Sequence, residues 1–170
     1  MTSDGRLQGL APVIGESPRV LILGSMPSEA SLAAQAYYAH PRNRFWPVLG
    51  TVLSFDPLLS YEERLDRIRA GGIALWDTIG SCERTGSLDS AILRPLPNPV
   101  GELIETHPTL KRVILNGGKA AEMWRRFGAP ALTTAQAASI EVVALPSTSP
   151  ANARFSLDAL IALWGPALTR

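Results

Sequence analysis

Four short apolar runs, each closed by polar or turn-forming residues, limit most tightly what this chain can fold into. They are Arg19–Gly24 (RVLILG), Ile73–Trp76 (IALW), Arg112–Leu115 (RVIL) and Ile140–Leu145 (IEVVAL). Apolar runs this short and this continuous mark strands covered on both faces. Between them lie stretches of helical character: Ser28–Gln35, Asn43–Leu53, Gly101–Thr106, Lys119–Phe127 and the closing Leu157–Trp164. A further helix starts at the capping box Ser60-Tyr61-Glu62-Glu63 and stops at Gly71-Gly72. Strands alternating with helices predict a layered α/β domain with a parallel sheet. Residues 1–18 read as an extended lead-in, 81–90 as a polar loop and 93–100 as a Pro-rich turn.

At 170 residues one domain is expected, large enough to bury a core without staples. A single Cys excludes an internal disulfide framework and leaves too few thiolates for a Cys-ligated zinc or iron–sulfur site, so no metal or cofactor is expected. A reducing, intracellular (cytoplasmic) setting fits. No signal-peptide pattern opens the chain, and no apolar stretch approaches a membrane span. The net charge of +1 means that any nucleic-acid contact rests on a local patch.

The unusual residues cluster just after the strands, at Ser25–Phe45, Asp77–Arg84, Asn116–Lys119 and Ser147–Asn152. Ligands of open α/β sheets bind beyond the carboxyl ends of the strands, so four loops would meet at one site. Each candidate has a plainer reading beside the functional one. Phe45 and Trp46 suit a core, whereas Tyr38, set among turn residues, could stack a planar ring. Asn43 either caps the helix after it or offers its amide to a ligand. His40 beside Pro41 is weak evidence of any role. Asp77 either caps a turn or presents a carboxylate. Arg42, Arg44 and Arg84 are either solvated surface or phosphate partners. Ser147, Thr148 and Ser149 form either a plain turn or a phosphate clamp. Two motifs fail. Gly118-Lys119 is no P-loop, because Val113 and Ala120 stand where Gly and Ser/Thr are needed. Gly24-Ser25-Met26-Pro27-Ser28 is no nucleophile elbow, because its Ser comes one place early.

Taken together, Gly24-Ser25-Met26-Pro27 with Tyr38-Ala39-His40-Pro41-Arg42-Asn43-Arg44-Phe45-Trp46, and Leu145-Pro146-Ser147-Thr148-Ser149-Pro150-Ala151-Asn152-Ala153, resemble the two motifs of the uracil-DNA glycosylase superfamily. The resemblance spans roughly residues 19–155 and is nearest to the deoxyinosine (hypoxanthine) branch, with the mismatch-specific uracil/thymine branch next. It implies a three-layer α/β/α fold around a four-stranded parallel sheet. It also implies hydrolysis of the N-glycosidic bond of a deaminated base in DNA, and a monomer suits an enzyme that must embrace a duplex. Met26 stands where several branches carry a catalytic Asp or Asn, and the resemblance moves that role to Asn43. Asp77 takes the place of the Asn that reads pyrimidines in strict uracil enzymes. The implied substrate contacts are Ser25, Met26, Tyr38, Phe45, Asp77 and Asn116. The implied DNA contacts are Arg42, Arg44, Arg84, Ser147, Ser149, Ala151 and Asn152, with Ala151 and Asn152 where the family wedges the emptied stack. Met26 also motivates an alternative, a relative that binds lesions without excising them; a small-molecule hydrolase is a more distant one.

Overall fold

The structure, a computed structural model, describes residues 5–170. The first four residues of the expected lead-in lie outside the described residues. The central sheet holds β2 (Val20–Gly24), β3 (Ile73–Asp77), β6 (Arg112–Asn116) and β7 (Glu141–Leu145) in the order β3-β2-β6-β7. All its pairings are parallel. Alternation along the strands separates two apolar layers. Val20, Ile22, Ile73, Leu75 and Ile114 face the cluster built with Phe45, Ile68 and Trp164 from α2 (Phe45–Leu53), α3 (Tyr61–Ala70) and α7 (Leu157–Thr169). Leu21, Leu23, Ala74, Val113 and Leu115 face the opposite cluster with α4 (Val100–Thr106) and α5 (Gly118–Met123), whose last turns widen into a π-helix over Trp124–Gly128. This is the expected α/β/α sandwich around a four-stranded parallel sheet.

A second sheet departs from the sequence expectation. β1 (Leu7–Gln8), β4 (Ile79–Glu83) and β5 (Leu93–Pro97) form a three-stranded antiparallel sheet in the order β1-β4-β5. The lead-in is therefore partly paired, and Val13 adds an antiparallel bridge to Leu75. Ser81–Glu83 of the expected polar loop and Leu93–Pro97 of the Pro-rich turn are likewise strands of this sheet, whereas 84–88 remains a loop. Their register shifts between Ile79 and Ser81 and again between Ser81 and Glu83, and Pro95 and Pro97 sit on an edge strand, where a missing N–H does no harm. α6 (Thr134–Ser139), with a Thr133/Gln136 capping box, is a further helix not anticipated. The chain runs from β2 outward to β3, then returns to the other side of β2 as β6. That reversal opens a crevice at the carboxyl ends of β2 and β6, and it positions the site. Among the described residues no helix is long and apolar enough to cross a membrane.

Candidate active site

The loop from Ala34 to Phe45 is built from the inside. Ser28 caps α1 (Glu29–Ala34), and Ser31, buried beneath it, accepts a hydrogen bond from the Ala39 N–H. The Tyr37 carbonyl accepts from the Trp46 indole (3.0 Å), and the Tyr37 hydroxyl donates to the Ala11 carbonyl (2.8 Å). Between these anchors Tyr38 takes a left-handed backbone, φ +55°, a conformation that a bulky residue keeps only when its surroundings impose it. Phe45 imposes it from one side, its ring stacked on Tyr38 with centroids 3.8 Å apart. Asn116 imposes it at the other end, donating from Nδ2 to the Tyr38 hydroxyl at 3.3 Å.

Asn43 both caps a helix and borders a cavity. Its Oδ1 accepts from the Phe45 N–H at 2.9 Å and so caps the start of α2. Its side chain also borders a cavity of about 400 Å³, within the usual range of small-molecule sites. The cap fixes the plane of the amide. Nδ2 makes no hydrogen bond among the described residues, so an N–H pair and the second Oδ1 lone pair remain for a ligand or a water.

Asp77 ends β3 at the head of the same cavity and is 3% exposed. Its Oδ2 is buried with no hydrogen-bond partner. Burial pushes its pKa up to about 7; the nearby Asp89 carboxylate adds to this and the Arg84 guanidinium opposes it. The carboxyl lies across Gly24, where a Cβ would come within 2.5 Å of Asp77 Oδ1, so only glycine admits it. Burial and the neighbouring Asp77 likewise raise the Tyr38 pKa, which keeps its hydroxyl protonated.

The second loop packs against the first. Asn116 Oδ1 accepts from the Thr148 N–H (3.0 Å), and Nδ2 donates to Thr148 Oγ1 (3.1 Å). The backbone turns there at Gly117, φ +96°, where a Cβ would meet Ser147 Cβ at 2.8 Å. Ser147 Oγ accepts from the Ser149 N–H, and Ser149 Oγ accepts from the Ala151 N–H. Each hydroxyl keeps its own proton to donate outward. The Arg44 N–H donates to the Thr148 carbonyl at 3.0 Å, so the two loops form one surface.

Several expected contacts take different places. Phe45, expected against the substrate, is fully buried and does not line the cavity; it supports Tyr38 from behind. Met26 borders the cavity, but it is 6% exposed and belongs to the apolar cluster of Ile79, Cys82, Ile92 and Met123. Asn116 lines the cavity with its amide already committed to Thr148 and Tyr38, which makes it a positioning residue. Arg44, expected on phosphate, instead donates to the carbonyls of Phe155, Ser149 (2.9 Å) and Asn152 (2.7 Å). Arg84 donates to the Pro27 carbonyl (2.5 Å), and its Nε and Nη1 are buried without partners. Of the three arginines, Arg42 alone has its guanidinium clear of hydrogen bonds to the described residues. Ser25, Ser147, Ser149, Ala151 and Asn152 all border the cavity.

Sequence reasoning missed the segment from Ser87 to Ser90, which forms one wall. Ser25 Oγ donates to Asp89 Oδ1 (2.6 Å), the Glu29 N–H donates to Ser87 Oγ (2.9 Å), and the Gly86 N–H donates to Glu29 Oε1 (3.1 Å). The local signal was only a polar stretch; its partners lie 57–64 residues away in sequence.

The comparisons agree with this geometry. The model of the uracil DNA glycosylase superfamily matches residues 11–165. A hypoxanthine DNA glycosylase of Methanosarcina barkeri is 36% identical over 96% of this chain and 98% of its own. One from Methanosarcina acetivorans is 36% identical over 88% of this chain and 90% of its own. The solution NMR structure of a candidate uracil DNA glycosylase from Methanosarcina acetivorans superposes with a TM-score of 0.78 at 33% identity, covering 96% of this chain and 97% of that one. This chain belongs to the uracil DNA glycosylase superfamily.

Proposed function

We propose that the protein is a monofunctional DNA glycosylase that removes deaminated bases, hypoxanthine foremost and uracil or xanthine as lesser substrates, leaving an abasic site. The observation that carries this reading is the juxtaposition of Asp77 and Asn43 on one base-sized cavity at the strand ends. Its support from relatives is the hypoxanthine activity named for the two Methanosarcina proteins. The target base leaves the duplex and enters the cavity at a cost of a few kcal/mol, smallest for a mispaired base.

Bond cleavage builds positive charge on the sugar and negative charge on the departing base. Catalysis then consists of donors fixed in advance where that negative charge appears. Asp77, buried and with a pKa near neutrality, is such a donor in its protonated form. Hypoxanthine, uracil and xanthine share a lactam edge, an exocyclic oxygen beside a ring N–H. A protonated carboxyl complements that edge by donating to the oxygen and accepting from the N–H. Asn43 holds the attacking water through its remaining lone pair, in an orientation set by the helix cap. Tyr38, braced by Phe45, walls the base. Among the described residues no lysine borders the cavity, in keeping with hydrolysis rather than a Schiff base on the enzyme. Ser147 and Ser149 hydroxyls, with Arg42, engage the flanking phosphates.

The test is a panel of labelled duplexes carrying hypoxanthine, uracil, xanthine or undamaged adenine, treated with the protein and then with alkali. Strand breaks at hypoxanthine well above those of an Asn43→Ala control are expected. No break above that control at any lesion refutes the reading. Salt-sensitive lesion binding without breaks would favour the non-catalytic alternative.

A further inference from the structure

One exposed apolar side chain on the cavity lining belongs to none of the core clusters. Leu88 is 59% exposed and borders the cavity, while the residues on either side of it are tied down. Gly86 and Ser87 hold Glu29, Asp89 accepts from Ser25, and the Ala91 N–H closes a 3₁₀ turn onto the Leu88 carbonyl at 3.1 Å. The side chain is therefore presented to solvent by a fixed backbone rather than by a loose tip. What sets Leu88 apart from other exposed leucines is its place on the cavity lining, where its apolar surface is available for burial by whatever docks there.

A duplex that has lost a base to the cavity offers such a cover. Extrusion leaves an apolar gap in the stack beside the pocket mouth, and side chains that keep duplexes unstacked elsewhere are apolar wedges. The 147–153 loop, which also lines the cavity, fills the gap poorly. Ala151 has one methyl, and the Asn152 amide is committed to the Ser147 carbonyl at 3.0 Å. We propose that Leu88 is the plug of this enzyme: it enters the base stack vacated by the extruded nucleotide, from the wall between β4 and β5 rather than from the 147–153 loop. The inference rests on the glycosylase reading for its substrate. Its first readout, however, needs only binding.

The experiment uses duplexes with 2-aminopurine beside hypoxanthine, whose emission rises when the neighbouring stack opens. The full-length protein is compared with Leu88→Ala, Leu88→Gln and, as a control of similar exposure away from the cavity, Leu93→Ala (61% exposed). The wild type and Leu93→Ala are expected to raise the emission, and both Leu88 variants to lose most of that rise. On hypoxanthine duplex, kcat/KM of the Leu88 variants is expected to fall about 10- to 100-fold, the equivalent of leaving one leucine unburied. On single-stranded hypoxanthine DNA, which has no stack to plug, it should stay within about twofold. Full emission with Leu88→Ala, no rise with the wild type, or equal losses on single and double strands overturns the proposal. A wild type that raises emission but yields no abasic product would sustain the plug and refute the glycosylase reading instead.

Discussion

Asp77→Asn offers a direct test, because it removes a buried charge without changing shape. The carboxyl has an ordinary pKa of 3.8 and one of about 7 in the folded protein. The folded state therefore binds the proton more tightly than the unfolded chain does. Between those two values the native protein holds a proton that the unfolded chain has released, so stability falls as pH rises. The loss begins near pH 4, grows to about pH 7 and levels off above. A displacement of about three pKa units corresponds to roughly 4 kcal/mol at the plateau. At pH 5 only about 1.5 kcal/mol of that cost is present by the same relation. Urea unfolding of the wild type and Asp77→Asn at pH 5 and pH 8 should then show the variant gaining about 2–3 kcal/mol more, relative to wild type, at the higher pH. A difference between the two proteins that is the same at both pH values would refute the argument. The same titration reaches catalysis. If the protonated carboxyl meets the base, wild-type kcat/KM falls as pH rises through about 7, whereas Asp77→Asn, whatever its rate, shows no such limb.

Asn43→Ala should cost about 1 kcal/mol of stability through loss of the cap on α2 and lower single-turnover excision by at least about 10²-fold. Asn43→Asp keeps an acceptor for the Phe45 N–H but loses the amide donors; its urea midpoint should stay near wild type while excision still falls, and wild-type excision would reduce Asn43 to a cap. Arg44→Met should destabilise by about 3 kcal/mol, since one guanidinium serves three carbonyls, and limited proteolysis should cut first between residues 146 and 156. Unchanged stability and cleavage would show that the two loops hold together without it.

The central sheet was legible because burial on both faces leaves its mark in contiguous residues. Each of its four strands lies within a residue or so of the apolar run that announced it. The outer sheet left no such mark. Ile79–Glu83 mixes Gly, Ser and Glu, Leu93–Pro97 carries two prolines, and their pairing shifts register. Local pattern could not separate them from loops. At the site, residue types with few alternatives stood out: Tyr38 among turn formers, Asn43 before an aromatic pair, Asp77 closing an apolar strand. Roles set by distant partners did not. Arg44 reads like any exposed cation until the carbonyls 105 and 108 residues further on are in place. Phe45 sits two residues from Asn43 in sequence, yet the stacking that gives it a purpose puts it behind Tyr38 and off the cavity lining.

The Arg44 staple also has a consequence for the order in which the molecule is made. Synthesis proceeds from the amino end, and its loop leaves the ribosome long before the carbonyls of Ser149, Asn152 and Phe155 exist. Tyr38 likewise waits for Asn116, and Asn116 for Thr148. A nascent chain of 140 residues, whose sequence already contains β2, β3 and β6, therefore carries Asn43 and Asp77 without the clasp that seats them. Competence to handle DNA therefore waits for residues 145–155, well after β2, β3 and β6 have been made.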